Sequence, residues 1–349
     1  MWQKLKVIEL ASVLAGPLVG SFFAELGAEV IKIENKTSGG DLTRNWKLAS
    51  EDASKTVSAY YASANYKKKS LFLDLTSRED YAQTIKLIKE ADIVIQNFKA
   101  GDAKKLKLHS EYLLTLNPKL IVAELSGFGP NNTRPAFDVV LQAETGFMYM
   151  NGNATSGPIK MPVALIDVLA AHHLKEAILI ALFEKTLSGK GKVVHISLYD
   201  AAIASLANQA SNFLMEQHIP EPIGTEHPNI APYGDMYKSK DGKYVVLAVG
   251  SEKQFQLLSA QFPNLKTKKD LFKSNALRVI NRKILNEKIA TEIALMTSLD
   301  LEKIFLKKGI PFGIVKNLKE VFLDKKAHKL IQDDQIELQK TKRVKTLLM

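Results

Sequence analysis

Short, almost unbroken apolar runs at Val7–Leu10, Val30–Ile33, Ser70–Leu73, Ile93–Gln96 and Leu120–Leu125 punctuate the first third of the chain, with helical or turn sequence between them. A strand that is apolar at successive positions is covered on both faces. The pattern therefore predicts an α/β protein with a parallel sheet between helical layers. Pro17 suits the first position of a helix over Leu18–Leu26, and Gly27 suits its left-handed end. Arg78–Glu90 reads as a second helix with Tyr81, Ile85 and Ile88 on one face. Ligands of such sheets bind beyond the carboxyl ends of the strands, here Ala11–Gly16, Glu34–Asp41, Leu73–Thr76, Asn97–Gly101 and Ser126–Pro130. Neither a G-x-G-x-x-G fingerprint nor a G-x-x-x-x-G-K-[ST] loop is present, which argues against dinucleotide and P-loop sites.

Further along, Phe137–Tyr149 reads as a helix, Asn151–Pro162 as a loop, and a long helix follows Asp167 and closes at Gly189. Val193–Ser197 is a strand and Leu198–Gln217 a helix. The proline- and glycine-rich stretch from Ile219 to Gly234 marks a crossing between domains. Tyr244–Val249 is a strand, Glu252–Gln261 a helix, and the chain stays mostly helical to Lys308. Gly309–Gly313 is a second crossing. The expected division is a large Rossmann-like domain from 1–220 and 311–349, with a smaller α+β domain at 221–310.

The 349 residues are 46% hydrophobic and 24% charged, the balance of a water-soluble globular protein. No apolar run approaches the ~18 residues of a membrane span. The start, MWQKLKVIEL, has no secretory apolar stretch with a cleavage site, so a cytoplasmic location is expected. With no cysteine, disulfides, thiolate catalysis and thiolate metal sites are excluded. The net charge of +11 comes from lysines spread over the whole length, with only six arginines. That is the distribution of a solvated surface rather than a nucleic-acid patch, although its field would attract an anionic ligand.

Asp167 is the foremost candidate for chemistry. An Asp before an apolar helix most simply caps it. A carboxylate held ionised at a helix N-terminus is also a usable nucleophile, so both roles stand. His172 and His173 lie in an apolar helix and His195 in a strand, positions better suited to packing than to catalysis.

Taken together, ordered blocks along residues 4–325 resemble the class III (family III, CaiB/BaiF) CoA-transferases, which include formyl-CoA and carnitine CoA-transferases and the related α-methylacyl-CoA racemases. The blocks are SVLAGP, LGAEVIKIE, GGDLTRNW, LFLDL, DIVIQNF, SGFG, RPAFDVVLQAETG, PVALID, GKGKVVHISLYDA, GTEHPNIAPYGDMY, DGKYVVLAVGSEKQF, KGIPFGIV and LKEV. The resemblance implies that Asp167 is a nucleophile carrying acyl and CoA groups in turn, with coenzyme A thioester and a carboxylic acid as substrates and no prosthetic group. It implies CoA contacts from Val13 and Leu14 through backbone, and from Leu73, Asp74, Leu75, Thr76, Asn97 and Phe98 along a groove. Lys105 stands where relatives often have a phosphate-binding Arg, and a lysine lacks the bidentate fork. Asn35 replaces another such Arg, with Lys36 next to it. Asp138 is implied as an acid beside the site or touching CoA, and His227 as a substrate-pocket residue.

The racemases use a His at the position occupied here by Phe137, which cannot move a proton, so transfer is favoured over racemisation. A homologue that binds acyl-CoA without turnover is the third reading, motivated by the two missing arginines. Relatives form interlocked homodimers, and a homodimer is expected. Their tails beyond KGIPFGIV are longer than the stretch ending ELQKTKRVKTLLM, which bears on how such a dimer would close.

Overall fold

The computed structural model describes residues 2–266 and 269–348. From the N-terminus, β1 (Lys6–Leu10) leads through a turn to α1 (Ala15–Glu25) and β2 (Glu29–Asn35), and α2 (Ala59–Ser63) precedes β3 (Lys69–Leu73). Next come α3 (Arg78–Lys89), β4 (Ile93–Gln96), α4 (Asp102–Lys105), α5 (Ser110–Leu116) and β5 (Ile121–Ser126). Two short helices, α6 (Asp138–Glu144) and α7 (Phe147–Met150), are followed by a hairpin of β6 (Gly152–Asn153) and β7 (Gly157–Pro158). The long helix α8 (Leu165–Ser188), then β8 (Lys192–Ser197), α9 (Leu198–Ala204) and α10 (Ala207–Glu216) complete this half.

Six strands form one parallel sheet in the order β3-β2-β1-β4-β5-β8. Its two faces carry separate cores, as unbroken apolar strands require. Ile93 and Ile95 of β4 face α1 and α8, whereas Val94 faces the α3 and α5 side with Ile88 and Leu113. The fold is thus α/β with a parallel sheet, as expected.

Two expected helices are broken. Phe137–Tyr149 divides at Gly146, whose φ of 86° ends α6 after about two turns. Leu198–Gln217 divides where Ala207 adopts a φ of 47°. The expected loop at Asn151–Pro162 holds the β6–β7 hairpin.

Cα packing divides the chain into two units. The first takes in residues up to Met148, Lys160–Leu214 and His328 onward, and the second Tyr149–Ile159 with Met215–Ala327. This differs from boundaries at 221 and 310 for a physical reason. The second unit's antiparallel sheet is β9 (Tyr233–Lys238), β10 (Tyr244–Ala248) and β11 (Phe312–Ile314), and β11 pairs with β10 beyond residue 310. Helices α11 (Glu252–Gln261), α12 (Asn275–Ile280), α13 (Arg282–Ile293) and α14 (Ser298–Lys308) cover it, burying Leu258, Leu285, Ile289 and Phe305.

The last segment returns to the first unit as a hairpin of β12 (Ile331–Ile336) and β13 (Gln339–Val344). Ile336 packs with Val57 and Tyr61. Glu337 at the hairpin turn accepts from Arg44 at 3.0 Å and from Thr56 Oγ1 at 2.6 Å, and Arg343 pairs with the buried Glu25.

Candidate active site

At the carboxyl ends of β1 to β4 the first unit holds a groove of about 550 Å³. Leu73, Asp74, Leu75 and Thr76 line one wall, Asn97 and Phe98 another, and Asn35, Thr37 and Ser38 the rim. Four of the five strand ends read from the sequence thus meet in one place, while the fifth, Ser126–Pro130, borders a separate pocket that shares Phe98 and Lys99. The floor of the groove is ionic. Lys32 of β2 donates to Glu9 of β1 at 2.9 Å and to the Ala11 carbonyl at 2.7 Å, and lies 3.1 Å from Asp41. Burial opposes its charge, but Glu9 and Asp41 outweigh that and hold its pKa above the ordinary value. Lys68 lies 2.7 Å from the other Glu9 oxygen, and burial pulls its ammonium down to about 8.

The β1–α1 turn is clamped from two sides. Asn97 accepts from the Ser12 N–H at 3.0 Å and donates to the Ser12 carbonyl at 2.9 Å. Val13 sits at a φ of 73°, a strained conformation for a β-branched residue, and its N–H donates to Asp41 at 3.1 Å. Leu14 caps α1 without a side-chain acceptor, so the first amides of α1 have no partner within the helix. Beside the groove, Glu34 receives both arms of the Arg44 fork at 2.7 Å and the Tyr61 hydroxyl at 2.6 Å. Gly40 makes room for that pair, since a Cβ there would lie 2.7 Å from Glu34 Oε2.

Asp167 is the third residue of α8 rather than its cap, which corrects the simplest sequence expectation. The cap position, Ala164, has no side chain to offer. Asp138, at the start of α6, accepts the Ile166 N–H at 2.7 Å in its place. The other Asp138 oxygen accepts from Gln142 Nε2 at 2.7 Å, and Gln142 Oε1 accepts from the Met161 N–H at 2.9 Å. Asp167 itself is buried, with 8% of its surface exposed, and among the described residues nothing donates to its carboxylate. Burial first, and the charge of Asp138 second, push its pKa up to about 7. This is opposite to the ionised, amide-held carboxylate expected from the sequence. Tyr60 of α2 packs edge-on against Trp46 with ring centroids 5.1 Å apart. Burial and the charges of Asp167, Asp138 and Asp41 raise its hydroxyl to about 12.

The remaining expected residues fall elsewhere. Lys105 is exposed on α4 and paired with Asp102 at 2.9 Å. His227 belongs to the second unit, where its Nδ1 accepts from the Asn229 N–H at 3.1 Å and its ring meets Tyr233 edge-on. Burial and Arg282 lower its pKa. Glu9, Lys32, Asp41, Lys68, Tyr60 and Gln142 were not singled out from the sequence. Two had a legible signal: Glu9 in KVIEL and Lys32 in VIKIE are charges inside strands whose neighbours are all buried.

The chain that carries this groove and these carboxylates belongs to a known class of transferases. The model of CoA-transferase family III matches residues 3–346, and the chain belongs to that family of transferases. It is 36% identical to a succinate–glutarate CoA-transferase of Agrobacterium fabrum, over 92% of this chain and 81% of that one. It is 32% identical to the succinyl-CoA:glutarate CoA-transferase of Homo sapiens, over 92% of this chain and 73% of that one. A CaiB/BaiF family crystal structure from Brucella suis superposes with a TM-score of 0.85 at 34% identity, covering 100% of this chain and 92% of that one.

Proposed function

We propose that the protein moves coenzyme A from an acyl-CoA thioester to a free carboxylic acid through covalent intermediates on Asp167. The observation that carries this reading is a buried carboxylate that no side chain among the described residues neutralises or hydrogen-bonds, on the first turn of a 24-residue helix. An Asp oxygen attacks the thioester carbon, the C–S bond breaks, and the thiolate leaves a mixed anhydride. The thiolate then attacks the Asp167 acyl carbon, releasing the donor acid and forming an aspartyl-CoA thioester. The acceptor carboxylate repeats both steps in reverse and leaves as the new thioester, restoring Asp167. Thioester and anhydride are both activated acyls, so the residues need only position them and receive developing negative charge. The open amides at the start of α1 suit the second task.

In this reading CoA lies along Leu73–Thr76, Asn97 and Phe98, meets Val13 and Leu14 through backbone, and has Lys105 near its phosphates. His227 serves the acid, and the working form is a cytoplasmic homodimer. The names of the relatives make succinyl-CoA the first donor to try, with glutarate and other dicarboxylates as first acceptors. Phe137 in the place of the racemase His disfavours the racemase alternative.

The test is hydroxylamine trapping with succinyl-CoA and a panel of other acyl-CoAs, followed by peptide mass spectrometry. A hydroxamate on Asp167 is expected. Its absence with every donor, or its appearance on another residue, overturns the proposal.

A further inference from the structure

The contacts of Asp138 reach beyond capping. Position 138 must supply two acceptors at once, one for the Ile166 N–H and one for Gln142 Nε2. The Gln142 amide cannot turn over, because its oxygen already holds the Met161 N–H and its nitrogen also faces the Met161 and Val163 carbonyls at 3.4 Å. An asparagine at 138 would offer only one acceptor, so this geometry demands a carboxylate and the charge comes with it. That charge lies beside the residue following Ile166, and Asp138 and Asp167 are each only 8% exposed. Among the described residues the charged group acting on Asp167 is Asp138 from α6, and the Tyr60 hydroxyl of α2 feels both carboxylates.

We infer that Asp138 is a positioning residue that holds the head of α8 from outside the helix and loads the pocket with a second negative charge, which acylation of Asp167 relieves. This rests on the reading of Asp167 as the acylated group. When the Asp167 oxygen bonds to the acyl carbon, the C–S electron pair departs with the thiolate, and the pocket passes from two carboxylates to one. The free enzyme with Asp167 ionised is thus the strained form and the acylated enzyme the relaxed one.

The variants are Asp138→Asn and the swap Asp138→Asn/Gln142→Glu. In the swap the new amide accepts from Ile166 and donates to the new carboxylate, whose other oxygen keeps the Met161 N–H. The hydrogen bonds to the Ile166 and Met161 N–H groups survive, the two long contacts to the Met161 and Val163 carbonyls are given up, and the charge moves one turn along α6. The first readout is the titration of the Asp167 carboxyl in the free enzyme by ¹³C NMR, assigned by its loss in Asp167→Asn. The second is the fraction of enzyme trapped by hydroxylamine at equilibrium with succinyl-CoA. In the swap the titration falls by about one pH unit yet stays above the ordinary Asp range, because burial remains, and the trapped fraction falls about tenfold. An unmoved titration and trapped fraction in a folded swap overturn the inference. If wild-type enzyme is never trapped, the reading of Asp167 fails, and the NMR titration still decides whether Asp138 presses on it. Should Asp138→Asn alone not fold, the swap carries both measurements.

Discussion

The Val13 N–H donates to the Asp41 carboxylate at 3.1 Å, and the same carboxylate lies 3.1 Å from the buried Lys32 ammonium. One side chain thus holds a strained turn and balances a buried cation. Asp41→Ala removes both partners, and the expected loss is about 3 kcal/mol or more in urea denaturation. The KM for acyl-CoA should rise as the turn relaxes. A variant as stable as wild type would show that Lys32 and Val13 do not depend on Asp41.

Asp167→Asn should abolish transfer and also make the protein more stable in neutral and alkaline solution. The folded-state pKa of about 7 lies above the ordinary 3.8, so between those values the folded protein holds a proton that the unfolded chain has lost. Stability from this group therefore falls as pH rises through that window. Its cost above pH 7 is on the order of 4 kcal/mol. Chemical denaturation of both proteins at pH 5 and pH 8 should show the gap widening at pH 8. Acylation by acyl-CoA should accelerate as pH rises through about 7 and then level off.

The Glu34–Arg44 pair has the opposite sign. Arg44 and Tyr61 outweigh burial and lower the Glu34 pKa from 4.5 to about 2. The stability it contributes is present above pH 4.5 and lost as pH falls towards 2, and amounts to roughly 3 kcal/mol. Arg44→Lys loses the fork on Glu34 and the reach to Glu337, and should destabilise by about 2 kcal/mol or more. The mutant's unfolding should also show a shallower pH dependence between 4.5 and 2, by the share that Glu34 contributes.

Gly20→Ala tests the buried Glu9–Lys68 pair, which shares Glu9 with the Lys32 of the groove. A Cβ there would lie 1.8 Å from Glu9 Oε2 and 3.1 Å from Lys68 Cε, so the Glu9–Lys68 pair must separate. We expect a loss of at least about 2 kcal/mol in spite of alanine's better helix propensity. A neutral result in thermal melts would mean that this pair yields freely.

Phe98→Ala tests the groove as the coenzyme site. Removing the ring should raise the KM for the CoA thioester about tenfold with kcat nearly unchanged, the pattern of lost uniform binding. An unaltered KM would place the coenzyme elsewhere.

Strands such as Ile93–Gln96 were legible because burial on both faces writes itself as an unbroken apolar run. The hairpin β12–β13 was not, because Gln, Asp, Lys and Thr alternate along it and its one buried apolar anchor is Ile336. Asp167 stood out by its place ahead of an apolar helix, yet its raised pKa depends on Asp138, 29 positions earlier, and on desolvation by the fold. The trans cap of Ile166 is equally invisible, since Ala164 gives no sign that its helix is held from α6. Phe137 ahead of Asp138 was readable as a local substitution. The ionic floor was half-written, as Glu9 and Lys32 within their strands, but their pairing with Asp41 and Lys68 is made by the fold.

The return of the C-terminal hairpin has a bearing on biosynthesis. Glu25 and Arg44 leave the ribosome early, but Arg343 and Glu337, which satisfy them, follow only after the second unit has been translated. Until then the nascent parallel sheet carries a buried-in-waiting acid and guanidinium with incomplete partners. The early-made α1 and α2 region therefore closes last on the segment made last, and a stalled or truncated chain would expose that seam to chaperones and proteases.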